Sequence, residues 1–186
     1  MKIDARHLRR AISLVTVFMF LGLAGVNSHA QLYAVEMIIF ADTSEEHLAA
    51  EVWRADPGQP DVSRAASILD ASDVSAINSS AYRLSGIWQV LRNSSQYRPL
   101  RHLAWTQRGR SKRSAPEILV GESSDSDVFG TLRMSRTRFL HLELDLLLRN
   151  GERSFRLTNH RRMRSNQLNY IDHPLFGVLV IATPVQ

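Results

Sequence analysis

Alternation of apolar and polar residues is the strongest pattern in the chain, and it is clearest from Leu140 to Leu148. Leucine occupies every second position there, and the intervening positions include His141, Glu143 and Asp145. Side chains of a β-strand point alternately to its two faces, so this period of two places the leucines on one face and the polar groups on the other. We therefore expect a half-buried strand.

The dipeptide Asn150-Gly151 directly after this strand predicts a tight hairpin. Asn-Gly is a preferred loop of the type I′ turn, in which both loop residues need positive φ. With these two residues as the loop, the register follows by counting outward. The predicted pairs are Arg149 with Glu152, Leu146 with Phe155, Leu144 with Leu157, Asp145 with Arg156, Glu143 with Thr158, His141 with His160 and Phe139 with Arg162.

Three further segments are predicted to be strands. Residues 33–40 are almost continuously apolar, which is typical of a central strand buried on both faces. Residues 98–107 have an early proline and a mixed pattern, which suits a strand entered from an edge or a turn. Residues 176–183 are apolar and follow a turn at 172–174, so we expect another buried strand.

One helix is clearly predicted after a poorly constrained segment, residues 41–77. Ser79 or Ser80 can cap it, and an apolar stripe follows at helical spacing. The stripe consists of Leu84, Ile87, Trp88 and Leu91. A shorter helical candidate at residues 45–54 lies within the poorly constrained segment and ends before Pro57-Gly58.

The order of these elements predicts an α+β fold in a single domain. A strand, a helix and a strand come first, and an antiparallel meander follows. We expect a largely antiparallel sheet with one or two helices packed on one face. Residues 108–127 are predicted to be a loop that is basic at its start and acidic at its end. The short apolar stretch at residues 118–120 is its only interruption.

The first 30 residues have the pattern of a cleavable signal peptide. A basic start is followed by about 15 apolar residues from Ala11 to Gly25, and small residues then precede a cut after Ala30. The alternative is an uncleaved anchor, but a membrane span needs about 20 apolar residues. We therefore expect an exported mature domain at residues 31–186. The basic residues at the start of this signal peptide are Lys2, Arg6, Arg9 and Arg10.

Charge and cysteine content narrow the function classes. The net charge of the whole chain is +5, but it falls to +2 once residues 1–30 are removed. So small an excess argues against nucleic-acid binding. The chain has no cysteine, which excludes disulfides and thiol chemistry, so a hydrophobic core must stabilise the domain.

No familiar catalytic motif is present, and we expect no catalytic residue, metal or cofactor. The nearest approach to a metal site is the set His141, Glu143 and Asp145 on one strand face, with His160 opposite. The alternative is a solvated strand face with cross-strand ion pairs such as Asp145 with Arg156. We favour it because exposed charged pairs of this kind are common.

A basic stretch near the end of the chain carries the candidate ligand contacts. It can be a solvated face, a phosphate-binding surface, or a surface that binds carboxylates, for which the guanidinium group is well shaped. Trp88 is predicted to be core, whereas Trp105 is either core or a platform for stacking a sugar. The candidate contacts are Arg156, His160, Arg162, Tyr170, His173 and Trp105.

Four ordered blocks of the sequence resemble the CsiV family of periplasmic, peptidoglycan-binding cell-shape proteins of Gram-negative bacteria. They read YAVEMIIF from Tyr33, YRPLRHLAWTQ from Tyr97, FLHLELDL from Phe139 and RRMRSNQLNYIDHPLFGVLV from Arg161. The resemblance covers the chain from Tyr33 onward except residues 41–77 and the loop after Arg108.

This resemblance implies a non-enzymatic periplasmic factor that binds peptidoglycan. It further implies support of a peptidoglycan synthase through the outer-membrane lipoprotein that activates the synthase. Two other classes stay open: a periplasmic hydrolase of the cell wall, and a protein–protein adaptor that does not contact the wall. Convergent carboxylates in a cleft would favour the hydrolase, and an exposed apolar patch would favour the adaptor.

Overall fold

The computed structural model describes residues 30–44, 52–123 and 126–185. Nine strands form two antiparallel sheets among these residues, with a single α-helix, α1 (Ser85–Arg92), and a 3₁₀ helix at Ser79–Ala81. The strands are β1 (Leu32–Asp42), β2 (Val74–Ala76), β3 (Tyr97–Arg108), β4 (Glu117–Val120), β5 (Val128–Arg136), β6 (Leu140–Asn150), β7 (Arg153–Met163), β8 (Asn169–His173) and β9 (Phe176–Pro184). This arrangement confirms the predicted α+β class.

Strand β1 lies at the centre of the five-stranded sheet, whose order is β2-β3-β1-β9-β8. Its odd-numbered residues, such as Met37, enter the main core, and its even-numbered residues Ile38 and Phe40 pack beneath α1. Both faces of β1 are therefore covered, as its continuous apolar sequence predicts.

The other sheet is a meander with the order β4-β5-β6-β7. The alternate leucines of β6 are buried and share one hydrophobic cluster with β1, β3 and β9. The two sheets thus pack on a common core, and α1 covers the far side of the five-stranded sheet. The opposite side of the four-stranded sheet carries the polar residues of β6 and β7, and residues 57–66 lie along part of it. We call this side the outer face.

The predicted helix exists, but it begins at Ser85 and neither Ser79 nor Ser80 caps it. Its N-cap residue is Leu84, which has no side-chain capping bond. The carboxylate of Glu36 on β1 instead accepts hydrogen bonds from the backbone N–H groups of Arg83 and Leu84, both at 2.8 Å. A buried side chain of the sheet thus takes the place of a local cap.

The hairpin between β6 and β7 differs from the prediction in its loop. Asn150 belongs to β6 and pairs with Arg153, so the loop residues are Gly151 and Glu152. Of these two loop residues, only Gly151 has positive φ, at 62°. Glycine at the first loop position is the pattern of a type II′ turn rather than type I′.

This loop shifts the register of the two strands by two residues. Leu148 lies opposite Phe155, and Leu140 lies opposite Met163. The predicted register would have placed Leu148 opposite Arg153, so the observed register matches more apolar pairs on the core face. A shift of two keeps every side chain on its predicted face, which is why the leucine and polar faces are confirmed.

Residues 52–66 cross the four-stranded sheet from one edge strand to the other: Trp53 packs on Phe155 of β7, and Arg64 lies 3.9 Å from Glu117 of β4. Ala66 forms a parallel bridge with Ile118, and its N–H donates to the carbonyl of Glu117 at 3.0 Å. Residues 1–29 of the predicted signal peptide and residues 45–51 of the shorter helical candidate lie outside the described residues, and residues 52–54 are not helical. In the part of the chain that is described, no helix has both the length and the apolar character needed to span a bilayer.

Candidate functional site

One half of the outer face is an ion-pair network. Arg133 on β5 contacts the carboxylates of Glu117 and Glu143, and Lys112 also contacts Glu143. These are short, partly shielded pairs of opposite charge on neighbouring strands. This half of the face is consequently close to electrically neutral.

Arg156 on β7 forms the most regular of these pairs. Its Nε and Nη2 atoms donate to the two oxygens of Asp145 at 2.7 and 2.8 Å, which is a bidentate arrangement. The pairing raises the pKa of Arg156 above its usual value, because the Asp145 carboxylate stabilises the charged form. Nη1 donates to the carbonyl of Pro57 at 3.3 Å, so Arg156 also fixes the segment that crosses the sheet edge. The predicted contact is present, although in the observed register it runs diagonally.

A groove opens where the start of β7 meets the end of β8. It has a volume of about 530 Å³, and Trp53, Arg54, Arg156 and His173 are among its lining residues. Trp53 packs edge-on against Phe155, with ring centroids 5.0 Å apart, and lies 5.6 Å from the ring of His173. The groove therefore combines an aromatic wall with guanidinium groups.

His173 is neutral in this environment. Burial lowers its pKa below the usual value of 6.5, and the neighbouring Asp172 carboxylate offsets part of that effect. Its Nδ1 accepts a hydrogen bond from the N–H of Leu175 at 3.2 Å, which requires Nδ1 to be unprotonated. The Nε2–H group is thus left as its donor, and His173 adds no positive charge to the groove near pH 7.

The other half of the outer face is cationic. His141 and His160 are in contact, with Nδ1 and Nε2 3.1 Å apart, and the Arg162 guanidinium lies 4.7 Å from the centroid of the Phe139 ring. Within the described ranges no carboxylate is paired with Arg162 on this face, or with the neighbouring Arg161 and Arg164. These side chains can therefore bind an external anion.

A second hollow joins the two halves of the outer face. Its volume is about 330 Å³, and Arg64, Thr158 and His160 are among its lining residues. Thr158 also lines the first groove. The two depressions thus follow β7 on consecutive outward positions, from Arg156 to His160.

Two of the predicted ligand contacts, Trp105 and Tyr170, lie away from the outer face. Trp105 is completely buried, and its indole N–H donates to Gln107 at 2.8 Å, so it has the core role rather than a sugar-stacking role. Tyr170 is 47% exposed but stacks on Phe40, on the side of the five-stranded sheet that α1 covers. Its hydroxyl donates to Asp172 at 2.5 Å, and burial together with that contact raises the pKa of Tyr170.

The metal alternative finds no support in the described ranges, where no group of three or more histidine or acidic residues is placed to hold an ion. The carboxylates that were considered as ligands are engaged by cations: Glu143 by Lys112 and Arg133, and Asp145 by Arg156.

Sequence reasoning missed Trp53 and Arg54. An isolated tryptophan followed by arginine, in a stretch otherwise rich in small and acidic residues, was the available indication. Its position beside β7 and β8 depends on how a long connection folds back on the sheet edge, which periodicity does not report.

Comparison with known proteins identifies the family. A family model described as "Peptidoglycan-binding protein, CsiV" matches residues 11–185, which is nearly the whole chain. No curated protein and no solved structure matches it. The chain therefore belongs to the CsiV family of peptidoglycan-binding proteins.

Proposed function

We propose that this protein is a periplasmic, non-enzymatic accessory factor that binds peptidoglycan through the two depressions along β7. The observation that carries the proposal is the continuity of the aromatic groove at Trp53 with the cationic half of the outer face. Arg156, His160 and Arg162 are the proposed polar contacts, with His173 as a neutral donor in the groove.

The chemistry of the polymer fits this surface. Glycan strands present sugar rings that stack on indole, and peptide stems present carboxylates that guanidinium groups bind through charge-assisted hydrogen bonds and that imidazole N–H groups also bind. Arg162 is exposed and Arg156 is partly exposed, so each contact is screened by salt. We expect weak, salt-sensitive binding that depends on many repeated sites in the wall.

The arrangement of carboxylates favours binding over hydrolysis. A wall hydrolase needs a carboxyl group that retains its proton beside one that is ionised. On the outer face, Glu117, Glu143 and Asp145 are each paired with arginine or lysine. This surface therefore lacks the contrast between two carboxyl groups that acid catalysis uses.

The remaining parts of the proposal come from the sequence and from the family resemblance. We propose that a signal peptide at residues 1–30 directs export, that cleavage follows Ala30, and that residues 31–186 form the working domain. The resemblance further suggests action with a peptidoglycan synthase and its outer-membrane lipoprotein activator in support of cell shape.

Co-sedimentation of the purified mature domain with isolated sacculi tests the proposal. We expect the domain to pellet at low salt, to be released as salt rises, and to release no soluble wall fragments. Release of wall fragments would identify a hydrolase. Failure to pellet unless the lipoprotein activator is added would identify an adaptor, and either result would contradict the proposal.

A further inference from the structure

Strand β7 has a free edge. It is the last strand of the four-stranded sheet, and its 11 residues, Arg153–Met163, pair with β6 on one side only. Among the described residues no backbone hydrogen bond joins the other side of β7 to any segment. Most of its second half, including Thr158, His160 and Arg162, is exposed.

The hairpin loop determines which residues of β7 direct backbone groups toward this edge. In a two-residue loop, the flanking pair Asn150 and Arg153 is hydrogen-bonded, and hydrogen-bonded pairs then recur at every second residue. Even-numbered residues of β7 therefore have their N–H and C=O groups directed away from β6. A hydrogen bond from the N–H of Arg149 to the carbonyl of Asp127 supports this assignment. It shows that an odd-numbered residue of β6 directs its backbone groups toward β5, so the even-numbered residues of β6 face β7.

The residues with outward backbone groups are also those whose side chains lie on the outer face. They are Ser154, Arg156, Thr158, His160 and Arg162. The arginines among them are Arg156, which is paired with Asp145, and Arg162, which is paired with no carboxylate in the described ranges. The odd-numbered Arg161 adds another exposed cation to the same stretch.

The charge of this edge indicates its occupant. Pairing with β7 of a second copy would bring together Arg161 and Arg162 of both copies, which have no carboxylate partner in the described ranges, and charged edge strands resist self-pairing for this reason. An extended segment with aspartate or glutamate at alternate positions would satisfy both the backbone groups and the cations.

We propose that β7 accepts an extended acidic segment of a partner protein as an added strand, with the backbone edge of Thr158 to Arg162 as its centre. This interaction goes beyond wall binding, because it uses the backbone edge in addition to the side chains of the outer face. The partner is identified only by its chemistry: an exposed, flexible, acidic stretch of strand-forming residues.

Three synthetic peptides of equal length test the interaction with the mature domain. We expect a (Thr-Glu)₅ peptide to bind and to shift the backbone amide resonances of Thr158, His160 and Arg162. In an added strand the glutamates would face the even-numbered residues of β7, so their N–H groups would donate to it. A (Thr-N-methyl-Glu)₅ peptide has the same charge but lacks those N–H groups, and a (Thr-Lys)₅ peptide has the opposite charge. Equal binding of (Thr-Glu)₅ and (Thr-N-methyl-Glu)₅ would show charge attraction only and would overturn strand addition, as would absence of (Thr-Glu)₅ binding.

Substitution at Thr158 separates the backbone from the side chain. Thr158→Pro removes one outward N–H and leaves the ladder to β6 intact, whereas Thr158→Ala keeps that N–H. We expect Thr158→Pro to weaken (Thr-Glu)₅ binding by roughly tenfold or more relative to Thr158→Ala. Equal affinity of the two variants would contradict the proposal.

Two controls keep the result interpretable. Asn159→Pro removes an N–H that is bonded to β6, so this variant should unfold more easily than Thr158→Pro. The reverse order would show that the odd-numbered, not the even-numbered, residues of β7 direct their backbone groups to the free edge. Sacculus binding by the wild-type domain is measured in parallel with peptide binding. Failure of peptide binding with intact sacculus binding would refute strand addition alone. A wild-type dimer that Thr158→Pro dissociates would assign the edge to a second copy instead.

Discussion

Substitution of Glu36 should be among the most destabilising single changes in this protein. The side chain is 7% exposed, and its carboxylate accepts three hydrogen bonds at 2.8 Å, from the N–H groups of Arg83 and Leu84 and from His102 Nε2. Glu36→Ala would leave two backbone donors at the start of α1 without their acceptor. An unsatisfied buried donor costs about 1–3 kcal/mol, so we expect a loss of about 3–5 kcal/mol in the free energy of unfolding.

Glu36→Gln refines this prediction, because its amide oxygen can still accept whereas its NH₂ group would face a donor. We expect an intermediate loss of about 2–3 kcal/mol. Trp88 stacks on His102 with ring centroids 5.2 Å apart, so its fluorescence should report the change. Urea unfolding measures the effect as a lower midpoint, and Glu152→Gln at the exposed hairpin loop is the matched control. A Glu36→Ala midpoint equal to that of the control would refute the capping role.

The remaining predictions concern two glycines and one histidine. Gly151→Ala should lower the melting temperature more than Asn150→Ala, because only Gly151 has positive φ; equal effects would contradict the observed loop. Gly130→Ala should prevent normal folding, seen as loss of soluble protein, because an added Cβ would lie 2.0 Å from the carbonyl of Asp145 and φ is 146°. The pKa of His173 is lowered in the folded state, so just below pH 6.5 the folded protein binds fewer protons than the unfolded chain. The stability contributed by neutral His173 is therefore fully present above pH 6.5 and is lost as the pH falls from 6.5 through the folded-state pKa. Melting temperatures across this range should fall less steeply for His173→Gln than for the wild type, and parallel curves would contradict the assignment.

The sequence predicts the faces of the fold better than its register. Alternation from Leu140 to Leu148 assigns each side chain to the core or to the outer face whatever the pairing, since a shift by two residues preserves the faces. The register depended on choosing between two adjacent loops that both contain Gly151. The observed loop pairs Leu148 with Phe155 and gives more apolar pairs on the core face, whereas the preference of Asn-Gly for a type I′ turn favoured the other loop.

Long-range contacts explain what the sequence could not predict. Glu36 replaces a local helix cap although it is 48 positions from Leu84 in the chain. Trp53 becomes part of the groove because a long connection returns to the edge of β7. Trp105 was undecided between surface and core, and its bond to Gln107, which in turn donates to the carbonyl of Met134 in the facing sheet, places it in the core.

The measurement that tests the central claim most directly is sacculus binding by the double variant His160→Ala and Arg162→Ala. Both side chains are exposed on the outer face, and neither is paired with a carboxylate in the ranges described. Arg92→Ala, in the last turn of α1 on the far side of the five-stranded sheet, is the control for loss of positive charge.

We expect the double variant to keep the melting temperature of the wild type and to bind sacculi about tenfold more weakly, since a charge-assisted hydrogen bond contributes about 1.5–3 kcal/mol. Arg92→Ala should bind as the wild type does. Sacculus binding that is unchanged in the folded double variant, at both low and moderate salt, would show that the wall contacts another part of the protein.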